Sequence, residues 1–365
     1  MNQRVEKLQS WMKENEVEVS FITSSENVFY LSGYFTNPHE RLLALVVFQQ
    51  EEPFLVCPSM EVHDAKRSGW ENEIIGYSDI ENPWEMIQRS IQKRINSVSK
   101  TAIEKEHMNV ERYEQLSSIF PKAALISAEE KLRLLRMIKD EKELKIIEEA
   151  CALADYAVEF GASEIKEGKT ELDVLNAVEY ALKQKGVTEM SFATMVLTGA
   201  NAASPHGNPG LTKIKKGDLV LFDLGVVVDR YCSDITRTVA YGDINDKQKE
   251  IYDTVLKAQI AAIEASKPGV TAAEVDLTAR RIIADSGYGE YFPHRLGHGL
   301  GISVHEYPSM TETNQLVIEE GMVYTIEPGI YVPEVAGVRI EDDIYITRDG
   351  AKVLTKFPKE LQIIK

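Results

Sequence analysis

The chain has 365 residues, which is long enough for about two domains at the usual ~150 residues per domain. Its hydrophobic content of 44% and charged content of 27% are typical of a globular protein with a sizeable core. A net charge of −17 argues against nonspecific binding to nucleic acid or anionic membranes, which requires basic surfaces. The same negative charge favours the binding of divalent cations.

The cysteines and the N-terminal segment predict a cytoplasmic protein. Cys57, Cys151 and Cys232 are odd in number and widely spaced, so they suit neither a disulfide framework nor a CxxC metal pair. The segment MNQRVEKLQSWMKENEVEVSF lacks the apolar core of a signal peptide, and no window reaches the ~18 apolar residues of a membrane-spanning helix.

Residues 1–128 alternate strand-like apolar runs with helical patterns, which predicts an α/β domain with a mixed or largely parallel sheet. The predicted strands are residues 19–24, 42–48, 53–57, 73–77, 102–106 and 123–127, and the predicted helices include residues 2–15, 60–69, 83–95 and 109–118.

Residues 129–365 predict an α+β domain, in which helices lie beside antiparallel hairpins. Asp140 and Glu143 form a capping-box pattern at the start of one helix, and a second helix is expected from Thr170 to about Gly186. Two further helices are predicted at residues 246–266 and 272–286, and strands at residues 218–228, 232–241, 302–305, 322–327 and 338–347.

The segment DLVLFDLGVVVDRYCSDITRTVAYG predicts a β-hairpin that brings two aspartates together. With a turn centred between Val228 and Asp229, Asp223 lies directly opposite Asp234, with Cβ atoms about 4.5–5.5 Å apart. Like charges at such positions destabilise a sheet unless a cation lies between them. For this segment by itself, two solvated carboxylates on an exposed hairpin remain an open alternative.

The segment TIEPGIYVPEVAGVRIEDDIYI predicts a second acidic hairpin. A turn near Glu334 places Glu327 opposite Glu341, with Arg339 on the same face as Glu341. Asp342 and Asp343 flank this pattern, and solvated or structural roles are expected for both. Two hairpins of like charge in one domain are hard to explain without a metal.

Four of the seven histidines lie between residues 206 and 305, namely His206, His294, His298 and His305. Neutral imidazole is a common metal ligand, and imidazoles beside a metal can shuttle protons or stabilise an oxyanion. Any one of these histidines considered singly is more often a structural residue.

Five side chains in separate segments form a candidate metal site: Asp223, Asp234, His298, Glu327 and Glu341. Converging carboxylates are costly to bury without cations. A set rich in oxygen donors with one nitrogen suits a hard or borderline divalent ion, and bridging carboxylates suit two ions better than one. The set therefore predicts a two-metal hydrolase.

The motifs DLG, SDITRT, GHGLG, TIEPG and RIED, in this order and spacing, resemble the creatinase/aminopeptidase P/prolidase family of metallopeptidases. The resemblance covers essentially the whole chain and includes SENVFYLSGY near the N-terminus. It implies a creatinase/prolidase-like α/β domain at residues 1–128 and a catalytic domain with the pita-bread fold at residues 129–365.

The resemblance also implies two divalent ions, with Mn²⁺ expected first and Co²⁺ or Zn²⁺ able to occupy the same ligands. Asp223 would hold the first ion, and Asp234 and Glu341 would bridge both. His298 and Glu327 would complete the ligands of the second ion. A hydroxide shared by the metals would attack the scissile carbonyl, with Glu327 accepting its proton.

Further roles follow from the same resemblance. His305 would hydrogen-bond the carbonyl oxygen or the oxyanion, and His206 would contact the substrate near the leaving proline. His294 is similar to a proton-shuttle histidine. The positions of Tyr331 and Arg339 are those at which the family supports the site and binds the substrate.

The stretch GISVHEYPS favours an Xaa-Pro dipeptidase, which must recognise a carboxylate directly after proline. Some prolidases use an arginine after this run, whereas the present chain has Ser309. We expect Arg41, with His39, to reach the substrate carboxylate across a homodimer, while Ser309 adds a hydrogen bond. A solvent-facing loop is the alternative for Arg41, and Arg295 and Arg339 are rival clamps.

Two other functions remain open at this point. One is an Xaa-Pro aminopeptidase that acts on longer peptides. The other is a catalytically silent peptide-binding module, against which the intact set of five ligands argues. Small peptides with proline after the scissile bond are the expected substrates of an active enzyme.

Overall fold

The computed structural model of the chain describes residues 3–204 and 207–365, and it divides the chain into two compact units, Met1–Arg136 and Met137–Lys365. Among the described residues, no helix has both the length and the apolar character that crossing a bilayer requires.

The first unit contains one mixed six-stranded sheet in the order β4-β3-β2-β1-β5-β6. β1 pairs antiparallel with β2, and β2 with β3, whereas the other three pairings are parallel. The strands are β1 Val19–Ile22, β2 Ala44–Phe48, β3 Phe54–Pro58, β4 Ile74–Tyr77, β5 Lys100–Ile103 and β6 Ala124–Ser127. The mixed α/β sheet expected from the sequence is confirmed.

Helices of the first unit pack around this sheet, and all four of the predicted ones are present. They are α1 Gln3–Glu14, α2 Ser25–Ser32, α3 Val62–Arg67, α4 Pro83–Arg94 and α5 Val110–Ile119, with α6 Glu129–Met137 crossing the boundary between the units. The sequence prediction missed α2, which is eight residues long and is capped by Ser24, whose side chain accepts a hydrogen bond from the Asn27 backbone.

Over its described residues, the second unit combines four long helices with two main sheets. The helices are α7 Glu141–Glu164, α8 Glu171–Gln184, α9 Asp246–Ala265 and α10 Ala272–Asp285. Each begins at a capping box, as predicted for Asp140 and Glu143, and Gly186 follows α8 with a left-handed φ of 90°.

One sheet of the second unit has the order β19-β11-β8-β7, and the other has the order β13-β12-β14-β17-β18. Short ribbons pair β9 with β10 and β15 with β16. The strands are β7 Met195–Thr198, β8 Leu219–Leu224, β9 Val227–Val228, β10 Tyr231–Cys232, β11 Ile235–Tyr241, β12 Gly297–Gly299, β13 Glu306–Met310, β14 Val323–Ile326, β15 Gly329–Val332, β16 Ala336–Arg339, β17 Asp342–Thr347, β18 Gly350–Val353 and β19 Ile363–Ile364.

Two hydrophobic cores lie between these layers. Apolar side chains of α7 and α8, such as Val158 and Val178, pack with Phe222 of β8. Those of α9 and α10, such as Val255 and Ile283, pack with Ile344 of β17. Each pair of helices therefore covers one sheet, and the strands between the two cores carry the polar residues described below.

The register of the first acidic hairpin differs from the prediction. Asp223 lies opposite Thr236 and not opposite Asp234, because the turn is centred between Asp229 and Arg230. Both turn residues adopt a positive φ, of 43° and 73°, although neither is a glycine or an asparagine. The slip is two residues, so Asp223 and Asp234 remain on one face as diagonal neighbours.

The register of the second acidic hairpin is confirmed. Ile326 pairs with Asp342 in one ladder and Gly329 with Arg339 in the next, which places Glu327 opposite Glu341 between them. Between the two ladders, the Glu341 amide donates to the Thr236 carbonyl instead. This hydrogen bond attaches Glu341 to β11. The strand predicted at residues 302–305 is wrong, since that segment forms bends between β12 and β13.

Replacing Gly225 with alanine tests the close approach beside Asp234. An added Cβ would lie 1.9 Å from the Ser233 carbonyl oxygen, so the backbone must shift. We expect Gly225→Ala to lower the free energy of unfolding by about 1–3 kcal/mol, as overpacking does. Gly210→Ala is the control, because its nearest neighbour would be 3.9 Å away. Equal urea-unfolding midpoints for the two variants would contradict this expectation.

Candidate metal centre and active site

A cavity of about 390 Å³ in the second unit is lined by all five of the predicted metal ligands. Asp223 and His298 lie in β8 and β12, whereas the other three directly precede β11, follow β14 and precede β17. The complete lining is Phe192, Met195, Asp223, Asp234, His294, Arg295, His298, Val304, His305, Glu327, Arg339 and Glu341.

Asp234, His298 and Glu341 form a group in the cavity whose donor atoms could hold a metal ion. One donor atom from each lies within 4.8 Å of the other two, and all three residues are buried. Nε2 of His298 is 3.7 Å from Oδ2 of Asp234 and 3.3 Å from Oε1 of Glu327. These separations leave room for a cation at the centre of the group.

The orientation of His298 indicates which nitrogen is free to bind. Its Nδ1 lies 3.1 Å from the Gly299 carbonyl oxygen, so we assign the proton to Nδ1 and the lone pair to Nε2. Burial lowers the pKa of His298 to about 3, which keeps the ring neutral. A lone pair that faces carboxylates calls for a positive charge between them.

The carboxylates are also in an environment that disfavours their charges. Burial, followed by the neighbouring carboxylates, raises the pKa of Asp234 and of Glu341 well above its usual range. Burial raises the pKa of Glu327 to about 7. Among the described residues, Oδ1 of Asp234 and Oε1 of Glu341 are buried without a hydrogen-bond partner. Orphaned oxygens of this kind are satisfied by divalent cations, so the donor set fits metal ions.

Asp223 lies in the same cavity but outside the group of three. Its Oδ2 forms an ion pair with Nη2 of Arg339. Arg339 is itself buried, and it donates from Nη1 to the Tyr331 hydroxyl at 2.6 Å and from Nε to Oγ1 of Thr236 at 3.0 Å. A fixed cation therefore neutralises Asp223 at the edge of the acidic group.

The remaining predicted site residues of this unit have defined places. His305 is exposed, and its ring centroid lies 4.2 Å from that of His298. Nε2 of His294 is 3.0 Å from the Tyr331 hydroxyl. Ser309 faces His298 in the β12–β13 register and accepts a hydrogen bond from Nη1 of Arg295 at 3.3 Å. His206 lies outside the described residues.

Arg41 and His39 belong to the first unit. Nε of Arg41 donates to Oδ1 of Asp79 at 2.9 Å, and its Nη1 is 3.0 Å from Oε1 of Glu40. His39 is exposed with a positive φ of 53°. These contacts hold the Arg41 guanidinium near the surface of its own unit, and its role toward substrate stays a prediction.

Sequence reasoning missed the residues that hold the ligands. Thr236 donates to Oε2 of Glu341 at 2.7 Å, and Asp343 accepts the Asp234 amide at 2.8 Å. Asp342 and Asp343 are fully buried, so a solvated role is wrong and a structural role is correct. The run of three acidic residues in RIEDD was the available signal, because carboxylates inside a strand are rare without partners.

Comparison with known proteins assigns both units. Metallopeptidase family M24 matches residues 145–348, and the Creatinase/Prolidase N-terminal domain matches residues 4–138. The chain is 57% identical to the protein YkvY of Bacillus subtilis over 361 residues, which cover 99% of both chains. It is 46% identical to an Xaa-Pro dipeptidase of Lactobacillus helveticus over 362 residues, which cover 99% of this chain and 98% of the other.

A solved structure agrees with these matches. The prolidase from Pyrococcus horikoshii OT3 is similar to this chain with a TM-score of 0.91 and 40% identity, over 99% of this chain and 100% of that one. The predicted fold, an α/β N-terminal domain followed by a pita-bread domain, is confirmed.

The pKa of Glu327 makes a prediction about the metal-free protein. A carboxyl whose folded pKa is raised contributes stability below its unfolded value of 4.5, and that stability is lost as the pH rises through about 7. The shift corresponds to about 3 kcal/mol. In EDTA, we expect wild type to lose about this much free energy of unfolding relative to Glu327→Gln between pH 4.5 and 8.

Excess Mn²⁺ should restore the stability that the metal-free protein loses at high pH, because a bound cation favours the ionised carboxylates. We expect wild type to gain thermal stability with Mn²⁺ at pH 7.5, and Asp234→Asn to gain much less. Urea unfolding in EDTA and thermal unfolding in MnCl₂ measure the two effects. A wild-type stability that rises with pH relative to Glu327→Gln in EDTA would refute the assignment.

Proposed function

This chain belongs to metallopeptidase family M24, and from that premise we propose that it hydrolyses the peptide bond of Xaa-Pro dipeptides. Membership in this family implies divalent metal ions. The observation that carries the proposal is the buried group of Asp234, His298 and Glu341, whose donor atoms converge and whose orphaned oxygens need a cation. Relatives named Xaa-Pro dipeptidase and prolidase support the choice of substrate.

Two metal ions would be held by the five predicted ligands. Asp223 would bind the first, Asp234 and Glu341 would bridge both, and His298 and Glu327 would complete the second. Four carboxylates and one imidazole favour Mn²⁺, although Co²⁺ or Zn²⁺ could occupy the same ligands. Divalent ions in such a site act as Lewis acids and lower the pKa of bound water.

Glu327 is the proposed general base. Its carboxylate lies 3.3 Å from the His298 imidazole, and burial raises its pKa to about 7 in the absence of metal. An ionised carboxylate at this place would accept a proton from the attacking water and return it to the leaving proline nitrogen.

The histidines would act around the scissile bond. His305, at the exposed end of the cavity, would donate to the carbonyl oxygen as negative charge develops on it. His294 is linked through the Tyr331 hydroxyl to Arg339, and these groups would support the site and orient the substrate. We assign His206 to contact with the proline.

A dipeptidase also needs a cation for the substrate carboxylate. Arg339 is already occupied by Asp223, which removes it as a clamp. Arg295 lines the cavity, is half-buried and donates to Ser309. We propose that Arg295 and Ser309 bind the carboxylate from within the same subunit, and that Arg41 with His39 contributes from the partner copy of a homodimer.

The composition supports a cytoplasmic location. Cys57, Cys151 and Cys232 are all free and buried, which suits a reducing compartment. Proline-containing dipeptides are the proposed substrates, and no role in binding nucleic acid or membranes is proposed for so acidic a chain.

Hydrolysis assays with Mn²⁺ test the function directly. We expect Leu-Pro to be cleaved with a kcat/KM at least about tenfold above that of Leu-Pro-Gly, because an unpaired charged partner costs at least that factor. EDTA should abolish the activity. Preference for the tripeptide would indicate an Xaa-Pro aminopeptidase, and no cleavage of any Xaa-Pro bond would indicate a silent binding module.

Substitution of the two candidate arginines tests the carboxylate clamp. We expect Arg295→Ala to raise KM for Leu-Pro about tenfold while changing KM for Leu-Pro-Gly much less, because only the dipeptide places its carboxylate there. Arg41→Ala should show the same selectivity with a smaller effect. Arg281→Ala, an exposed arginine on α10, is the control for loss of one positive charge. If a substitution changes KM equally for both substrates, that arginine does not bind the substrate carboxylate.

A further inference from the structure

A buried ion pair lies near the cavity but outside its lining. Nζ of Lys139 is 3.5 Å from Oε2 of Glu306, and the two side chains are only 1% and 5% exposed. Burying two charges costs several kcal/mol of desolvation per ion, so a buried pair adds little net stability over an apolar pair. Because the pair adds little stability, its position beside the cavity is the better guide to its role.

Glu306 organises the turn that joins β12 to β13. Its Oε1 accepts the Ser303 amide at 2.9 Å, and the Gly301 amide donates to the Ser303 carbonyl at 3.1 Å. A Cβ at Gly301 would lie 2.9 Å from Oε2 of Glu306, so glycine lets the carboxylate pack against the backbone. The Gly301 carbonyl in turn accepts the Cys232 amide at 2.7 Å.

The same turn carries His305 into the cavity. His305 directly precedes Glu306, and its ring lies against His298 at 4.2 Å between centroids. Val304, the residue before it, also lines the cavity. The direction of the His305 side chain is therefore set by a turn whose backbone is bound to the Glu306 carboxylate.

Lys139 is attached to the sheet that presents Glu327. Its amide donates to the Gly321 carbonyl at 2.9 Å, and its neighbour Ile138 forms an antiparallel bridge with Met322, directly before β14. The ammonium group thus has a fixed place relative to β14, and the ion pair ties the turn to that strand.

We propose that Lys139 and Glu306 are positioning residues that hold the His305 ring beside His298, in the cavity that Glu327 also lines. The inference rests on the function proposed above, in which His305 donates to the developing oxyanion. Lys139 and Glu306 act only through the turn, and neither touches the substrate.

Lys139→Met is the first test, because methionine keeps the apolar stem and removes the charge. With Leu-Pro and Mn²⁺, we expect kcat to fall about tenfold and KM to change less than about threefold, since the oxyanion contact is made only in the transition state. Lys139→Arg should restore most of kcat. Lys249→Met, from an exposed pair with Asp253 on α9, is the matched control and should leave kcat unchanged.

A double-mutant cycle with His305→Ala separates positioning from general structural damage. If the pair acts through His305, Lys139→Met should lower kcat by less than about twofold in the His305→Ala background. An equal loss of kcat in both backgrounds would overturn the proposal, and so would an unchanged kcat in the wild-type background. Should Lys139→Met fail to fold, Lys139→Met/Glu306→Gln removes both charges of the pair and takes its place in the cycle.

Hydrogen exchange provides a readout that needs neither metal nor activity. We expect the Ser303 amide to exchange faster in Lys139→Met than in wild type, while the amides of α9 are unchanged. Unchanged exchange at Ser303 would contradict the inference. If wild type cleaves no Xaa-Pro substrate, the proposed function fails, and the exchange result still decides whether the pair holds the turn.

Discussion

The repulsion between buried carboxylates is the constraint on which the second unit depends. Two like charges 4 Å apart at a partly buried site repel by about 4 kcal/mol. Asp234 and Glu341 are buried side by side, and the pKa of each is raised by burial and by the other acids. In its ionised form such a group needs added positive charge, part of which Arg339 supplies at Asp223, and divalent ions of the M24 family would supply the rest.

Asp342 shows that burial by itself does not raise the pKa of a carboxyl group in this region. It is as buried as its neighbour Glu341, and burial works to raise its pKa, yet Arg237 and Lys359 outweigh burial and hold that pKa below its usual range. Gln259 and Thr355 donate to the same carboxylate. Asp342 is thus saturated by protein cations and donors, whereas Asp234 and Glu341 each keep one buried oxygen without a hydrogen-bond partner among the described residues, as does Asp343 behind Asp234.

The groups behind the ligands form a continuous frame. Thr236 binds Glu341, Asp343 binds the backbone of Asp234, and Arg237 joins Asp342 to the Phe357 carbonyl of the C-terminal segment. Partners of this kind orient ligands and are costly to remove. The Lys139–Glu306 pair would extend the frame to His305, so that ligands and histidine share one rigid support.

Sequence patterns were enough to predict the fold class, the five candidate ligands and the shared face of the two acidic residues in each hairpin. Strand alternation has a period of two, so Asp223 and Asp234 share a face even though the predicted register was wrong by two residues. The contacts between distant segments became known from the packed strands, as with Arg339 and Asp223, which are 116 residues apart. Local patterns cannot contain such pairings, because they arise only when separate strands and turns pack against one another.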